Sequence, residues 1–304
     1  MDSTILEKVG KALYQTERIK ELKRYLVFRF RCAMHSSYVD DLLAFFDKDD
    51  YRRKLLQGNP AFLEQTTRSF FYKDSTWNER VNIVKQHVTT LEECFNNDFL
   101  TKLYANNEKI CLYKDIYEEK ELTLNLGFYG GQRKEGCLAL GLQCEGLYDE
   151  DDLYQIMFWI AKDEEGKPII YIGALQGIVN GSDIIKGLTK AFYGYRTKNL
   201  IFYGLRCFAK AIGAQRIYAV GNEGYYAMNG IRIDRKLKTD FGVFWEECEG
   251  VRCEDKRFYV MPVEEHRKSM EELKPSKRAQ HRRRFAKMDE IEASVLEALQ
   301  KYQK

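Results

Sequence analysis

The chain has eight cysteines but no Cys-x-x-Cys pair, and only four histidines. That combination excludes a zinc site built on the usual paired-cysteine spacing, and no metal is expected. No window approaches the ~18 to 20 apolar residues that a membrane-spanning helix needs. The opening residues MDSTILEKVGKALYQTERIK alternate charged with apolar positions, so they do not read as a secretory leader. An excess of one charge is missing too: 49 Lys and Arg face 46 Asp and Glu, a net charge of +3. Bulk charge therefore gives no case for a nucleic-acid or membrane partner. Internal repeats, low-complexity tracts and long linkers are also lacking. The expectation from these absences is a soluble cytoplasmic protein whose thiols (Cys32, Cys94, Cys111, Cys137, Cys144, Cys207, Cys248 and Cys253) behave mostly as small buried hydrophobes.

What is present is a chain of 304 residues, 44% hydrophobic and 13% aromatic, enough for a substantial core with a helical extension. From Ile5 to about Asn97 the apolar positions fall at helical spacing, as in Ile19, Leu22, Leu26 and Phe30, with a break at QGNP, residues 57–60. A further helical run over Val81, Val84, Val88 and Leu91 carries His87, read as a packing residue because no second ligand stands at ligand spacing. From Leu122 the period becomes two: Leu122, Leu124, Leu126 and Phe128 form one strand, and Leu138, Leu140 and Leu142 form another after the turn GGQRKEG. LYQIMFWIA and PIIYIGALQG, joined across Gly166, predict a long central hairpin. A short helix over 182–190 follows, then YGYRTK, then a helix from Asn199 with Ile201, Leu205, Phe208 and Ile212 on one face and Gly213 at its end. RIYAV reads as a strand, and GVFWEE with RFYVMP as a last strand pair.

The fold class expected is α+β with a mostly antiparallel sheet. It divides into a helical region over 1–118, an α+β domain over 119–263 and a basic C-terminal helix over 264–304. That helix repeats on Phe285, Met288, Ile291, Val295 and Leu299. Its basic entrance reads as a solvated face of a docking helix in preference to an RNA contact through Arg282, Arg283 and Arg284, since no interleaved aromatics offer a stacking platform.

The order of parts resembles the Gcn5-related N-acetyltransferase fold: a long hairpin, IMFWIA with IIYIGALQG; the turn YRTKNL; a helix; the strand RIYAV; and the loop GNEGYYAMNGI. In such a turn, backbone N–H groups at a helix start bind pyrophosphate oxygens with the helix dipole behind them. The resemblance implies acyl-CoA as cofactor, with Arg196, Lys198 and Asn199 at the phosphates and Leu175 and Gly177 on the central strand. Arg196 matches the family's Arg/Gln-x-x-Gly-x-Gly/Ala turn, whereas Asn199 and Ile201 stand where glycines are expected. The resemblance also implies that Asn222 orders the loop and that Tyr226, or else Tyr225, is the general acid that protonates the leaving thiolate. Glu135, Glu145 and Glu223 are candidate bases that sequence alone does not rank.

Over a longer span, EGCLALGL, YIGALQG, YGYRTKNL, GAQRIYAVGN, DFGVFWEE and SKRAQHRRRFAKMDEI resemble the VirK/YbjX family of bacterial proteins. That resemblance implies a link to virulence, envelope stress and antimicrobial-peptide resistance, but carries no catalytic residues. Two functions follow as expectations. One is an acyl-CoA-dependent N-acyltransferase acting on an amine of a peptide or small molecule; the other is a non-catalytic regulatory or interaction protein.

Overall fold

The computed structural model describes residues 3–146, 152–178, 181–228 and 240–304. The N-terminal part is helical: α1 (Ser3–Leu13), α2 (Ile19–Met34), α3 (Ser36–Phe46), α4 (Asp50–Gly58), α5 (Ala61–Thr67), α6 (Trp77–Cys94) and the short α7 (Asn97–Leu100). α6 starts where Thr76 and Glu79 form a capping box: the Thr76 hydroxyl accepts from the Glu79 N–H at 3.2 Å and the Glu79 carboxylate accepts from the Thr76 N–H at 2.6 Å. Val81, Val84, Val88 and Leu91 bury its inner stripe, each side chain worth about 1.5–3 kcal/mol.

α2 departs from expectation. Ile19, Leu22, Leu26 and Phe30, whose spacing predicts the helix, are 77%, 40%, 57% and 66% exposed. The face packed inward carries Phe28 and Cys32 instead. Periodicity identifies a helix but does not choose its buried side when both sides carry apolar residues.

The sheet begins earlier than the sequence suggests, at β1 (Ile110–Tyr117), inside the stretch expected to be helical. β2 (Lys120–Gly127), β3 (Leu138–Cys144), β4 (Tyr154–Lys162), β5 (Pro168–Gly177), β6 (Arg216–Val220), β7 (Val251–Arg252) and β8 (Phe258–Met261) follow. Their order is β1-β2-β3-β4-β5-β6-β8-β7 in one eight-stranded sheet. Every neighbouring pair is antiparallel except β5 with β6. A parallel neighbour needs a crossover, and α8 (Ser182–Ala191) with α9 (Thr197–Ala211) supplies it. Gly213, at φ +65°, ends α9 in the left-handed region.

GVFWEE is not a strand. It lies in helix α10 (Phe241–Glu247), capped by the Asp240 carboxylate, which accepts from the Val243 N–H. Phe241, Phe244 and Trp245 sit on its buried side, at helical spacing; a short apolar run fits either period, and here the cap and the packing decide it. β8 pairs with the two-residue β7 instead. Finally α11 (Pro275–Gln300) buries Met288, Ile291, Val295 and Leu299, and Phe285 is half-buried.

Two layers of helix cover the sheet. On one face, Trp159 of β4 packs on Phe71, Tyr72 and Tyr171 beneath the N-terminal helices. On the other, Phe158 packs on Phe208 of α9, and Tyr203 of α9 bonds Glu292 of α11 at 3.0 Å. The buried apolar side chains of all these layers form one connected cluster. Among the described residues no helix is long and apolar enough to cross a membrane.

Candidate functional site

β5 and β6 run side by side only from Ile169 with Arg216 to Ile172 with Ala219. Beyond Ile172, β5 bulges at Gly173, where its register with β4 shifts between Met157 and Phe158. β6 meanwhile ends at Val220 and leads into the turn Asn222–Gly224. A bulge re-aims a strand and opens space beside it. Into this place comes the segment before β3: a Cβ on Gly173 would lie 1.8 Å from the Glu135 carbonyl oxygen, and one on Gly136 would lie 2.6 Å from the Phe158 nitrogen. Glycine at both positions is what permits the close crossing. Gln65 of α5 fastens it, donating from Nε2 to the carbonyls of Arg133 and Gly136, both at 2.8 Å.

The crossing delivers the Glu135 carboxyl, 4% exposed, to the two tyrosines after β6. The Tyr225 hydroxyl donates to Glu135 Oε1 at 3.2 Å. The Tyr225 and Tyr226 rings meet edge-on at 5.0 Å, and Tyr226 packs on Phe70 at 5.9 Å. Burial raises the Glu135 carboxyl to about 7, more than the nearby Lys134 charge and the tyrosine hydroxyls lower it. Its second oxygen, Oε2, has no hydrogen-bond partner among the described residues. A carboxyl titrating near neutrality and keeping one oxygen free is suited to take up and return a proton. Burial, with Glu135 beside it, raises the Tyr225 phenol well above its ordinary value.

The structure thus ranks the three candidate carboxylates. Glu223 is an exposed partner of Arg252 at 2.7 Å, and Glu145 is exposed at the end of β3; Glu135 alone of the three is buried with the tyrosines. The sequence carried a weak sign of this, an acidic residue flanked by glycine inside a turn that leads into an apolar strand.

The other expected residues fall into two further groups. At the start of α9, Arg196 donates to Asn199 Oδ1 at 3.0 Å and to Glu247 Oε2 at 2.8 Å, and Lys198 reaches the same carboxylate at 3.4 Å. These contacts, the Arg196 hydrogen bond foremost, hold the Glu247 carboxyl below its usual range. Asn199 Nδ2 contacts Cys248 Sγ at 3.6 Å, and Ile201 is wholly buried. Asn222, for its part, donates to Asp240 at 2.8 Å and accepts from the Phe241 N–H at 2.8 Å, so it fixes the start of α10. α10, about 10 Å long at 1.5 Å per residue, therefore has Asn222 at one end and the Arg196 turn at the other. Leu175 is buried on β5 beyond the bulge, and Gly177 is exposed at its end. The end of GNEGYYAMNGI lies outside the described residues.

His87 is a connector. It accepts from the Ile160 N–H at Nδ1, 3.1 Å, and its Nε2 stands 2.6 Å from the Tyr104 hydroxyl. That hydroxyl donates onward to the Cys137 carbonyl at 3.1 Å, so Nε2 carries the ring proton. Burial drives the imidazole down to about 3, neutral at ordinary pH. Of the terminal arginines, Arg284 donates to the Tyr193 carbonyl at 2.9 Å and pins α11 to the turn before α9, while Arg282 and Arg283 are exposed.

The model of the family described as "Protein of unknown function (DUF535)" matches residues 17–297. The chain belongs to that family. It is similar to the "Uncharacterized protein YbjX" of Escherichia coli K12, 28% identical over 247 residues, 79% of this chain and 73% of the relative. Two uncharacterized proteins of Haemophilus influenzae Rd are also similar: one is 18% identical over 92% of this chain and 90% of its own length, the other 21% identical over 96% and 98%. YbjX-like membership agrees with the motifs that pointed to it.

Proposed function

We propose that the protein is an acyltransferase that moves an acyl group from a thioester, acyl-CoA, to an amine. The observation that carries this reading is Glu135, held with Tyr225 and Tyr226 where the parallel strands β5 and β6 part. In this reading Glu135 accepts the proton of the attacking amine, and the released thiolate is protonated by Tyr226, or else by Tyr225. Asn222 positions the loop through α10. Arg196, Lys198 and Asn199 would hold the phosphates of the cofactor, and their chemistry fits an anion: Arg196 and Lys198 already hold the Glu247 carboxylate. When bound, acyl-CoA would supply the activated thioester; the chain supplies the proton transfers.

The second reading is a non-catalytic interaction protein, and two observations favour it: Glu247 stands at the Arg196 turn where a phosphate would stand, and Ile201 is packed inward at a place the acyltransferase turn gives to a small residue. The two readings separate in a thermal-shift titration with CoA. A ligand at 100 times its Kd that binds only the native state adds about 2.7 kcal/mol. Acyl transfer requires stabilisation of the wild type, a larger one in Glu247→Gln and a loss of the shift in Arg196→Ala. It also requires thiol release from acetyl-CoA that depends on an added amine and disappears in Glu135→Gln. No stabilisation of either the wild type or Glu247→Gln by millimolar CoA would rule out the turn as the cofactor site.

A further inference from the structure

Between α2, α5, the start of α6 and the segments around 133–134 and 226–227 lies a cavity of about 700 Å³. Its wall carries six Arg or Lys side chains and only two carboxylates. Both carboxylates are already matched. Glu64, 1% exposed, takes Arg133 at 2.5 Å, Arg68 at 3.4 Å and the Tyr14 hydroxyl at 2.7 Å. Burial would raise its carboxyl, but the Arg133 hydrogen bond and charge, with help from Tyr14 and Arg68, hold it below its ordinary value. Glu21 takes Arg24 at 2.5 Å.

Of the five arginines, Arg31 and Arg80 are left. Neither has a carboxylate within ion-pair distance among the described residues. Arg80 is 3% exposed and its guanidinium is satisfied only by neutral groups, the Thr66 carbonyl at 2.8 Å and the Ser75 carbonyl and hydroxyl. It lies over the Trp77 ring at 5.5 Å. Burial lowers it to about 10, against the charge of Glu79 and with a smaller push from Arg31; Arg31 is itself lowered by burial and by Arg68, against Tyr14 and Glu64. A buried cation with no carboxylate in direct contact is costly in a folded protein, and an anion placed against it would lower that cost. Arg80 falls on the same stripe as Val84, His87 and Leu91, and besides facing the cavity it ties α6 to the Thr66 and Ser75 carbonyls.

We infer that this cavity is a binding site for a phosphate-bearing ligand, its oxyanion held by Arg31 and Arg80 with Arg68 and Arg133 around it. Guanidinium forks match the oxygens of a phosphate in pairs, and several of them together select a multiply charged anion over a single carboxylate. The apolar wall, Trp77, Phe70 and Tyr226, leaves room for a non-polar remainder of the ligand. The site is separate from the Arg196 turn, and it shares only the Tyr226 wall with the acyl-transfer reading. A free phosphate compound and a lipid headgroup share this chemistry, and the exposed apolar stripe of α2 beside the cavity makes the second source worth a separate arm.

The test uses the full chain. Inorganic pyrophosphate is titrated by calorimetry, and binding to phosphatidylcholine vesicles with and without phosphatidylglycerol is measured by co-sedimentation. The variant is Arg31→Gln, chosen because Arg31 makes no hydrogen bond that the fold uses; Arg196→Ala is the control. The expected result is binding in at least one arm, weakened about tenfold or more in Arg31→Gln, unchanged in Arg196→Ala, and falling with added salt, as a lost charge-assisted contact implies. Pyrophosphate binding identifies a soluble ligand; binding only to the anionic vesicles identifies a headgroup. No binding in either arm overturns the inference, as does binding that Arg31→Gln leaves intact. Binding lost only in Arg196→Ala also overturns it, while leaving the acyl-CoA reading standing.

Discussion

Replacing Glu135 by Gln is expected to stabilise the protein at alkaline pH while abolishing any proton transfer there. The Glu135 carboxyl sits at about 7 in the folded chain against an ordinary value of 4.5. Between those values the folded state holds a proton that the unfolded chain has released, so wild-type stability falls as pH rises through that window. Each unit is worth 1.36 kcal/mol, so by pH 8.5 the buried carboxylate costs about 3 kcal/mol, an upper figure. Gln keeps the shape and an acceptor for the Tyr225 hydroxyl but has no charge to bury. The variant and wild type should unfold alike at pH 4.5, and by pH 8.5 the variant should melt about 5 °C higher. Thermal or urea unfolding followed by circular dichroism across that range measures it, and other titrating groups cancel in the difference. A variant that is less stable than wild type at every pH, or a difference that does not grow with pH, would refute the placement of Glu135 as a strained carboxyl. Residues kept at such a cost to stability belong to sites more often than to scaffolds.

Two further outcomes test the ground on which that site stands. His87 is neutral in the fold and ordinarily protonates near 6.5, falling to about 3 by burial; its contribution is therefore present above pH 6.5 and lost as pH falls, at up to about 1.4 kcal/mol per unit. In His87→Phe this acid sensitivity should shrink, while at pH 8 the variant should be less stable by about 2–4 kcal/mol because the Ile160 N–H and the Tyr104 hydroxyl lose a partner; an unchanged acid slope would refute the assignment. Gly173→Ala would put a Cβ 1.8 Å from the Glu135 carbonyl, whereas Gly130→Ala meets nothing within 4 Å. The first should cost about 1–3 kcal/mol or more and the second very little, by denaturant unfolding; equal effects would mean that the crossing of 135–136 over β5 is misplaced.

How much of this was legible in the sequence depends on the range of the interaction concerned. β2, β3, the β4–β5 hairpin, α9 and α11 follow from side-chain period, because each buries a face that its own residues define. α10 did not, since GVFWEE is too short for its period to be decisive and its state depends on the Asp240 cap and on Trp245, whose indole N–H closes over the Val220 carbonyl at 2.9 Å. α2 was read as a helix, but its outward stripe was not foreseen. The expected turn residues do lie together at the start of α9, yet the carboxylate that meets them comes from 51 residues further along the chain. Arg80 was recognisable in principle as a charge on an apolar stripe; Glu135 was not, for its partner Tyr225 is 90 residues away.

By itself the sequence determined most of the local elements, though not β1 or α10, together with the family and the absence of paired-cysteine zinc ligands, all of which are carried by residues near one another in the chain. Only the tertiary structure decided which glutamate is buried with the tyrosines, which cavity arginines have no carboxylate in ion-pair contact, and what stands between the Arg196 turn and the Asn222 loop. Those are questions of desolvation and long-range charge, and both depend on what surrounds a side chain after the layers have packed.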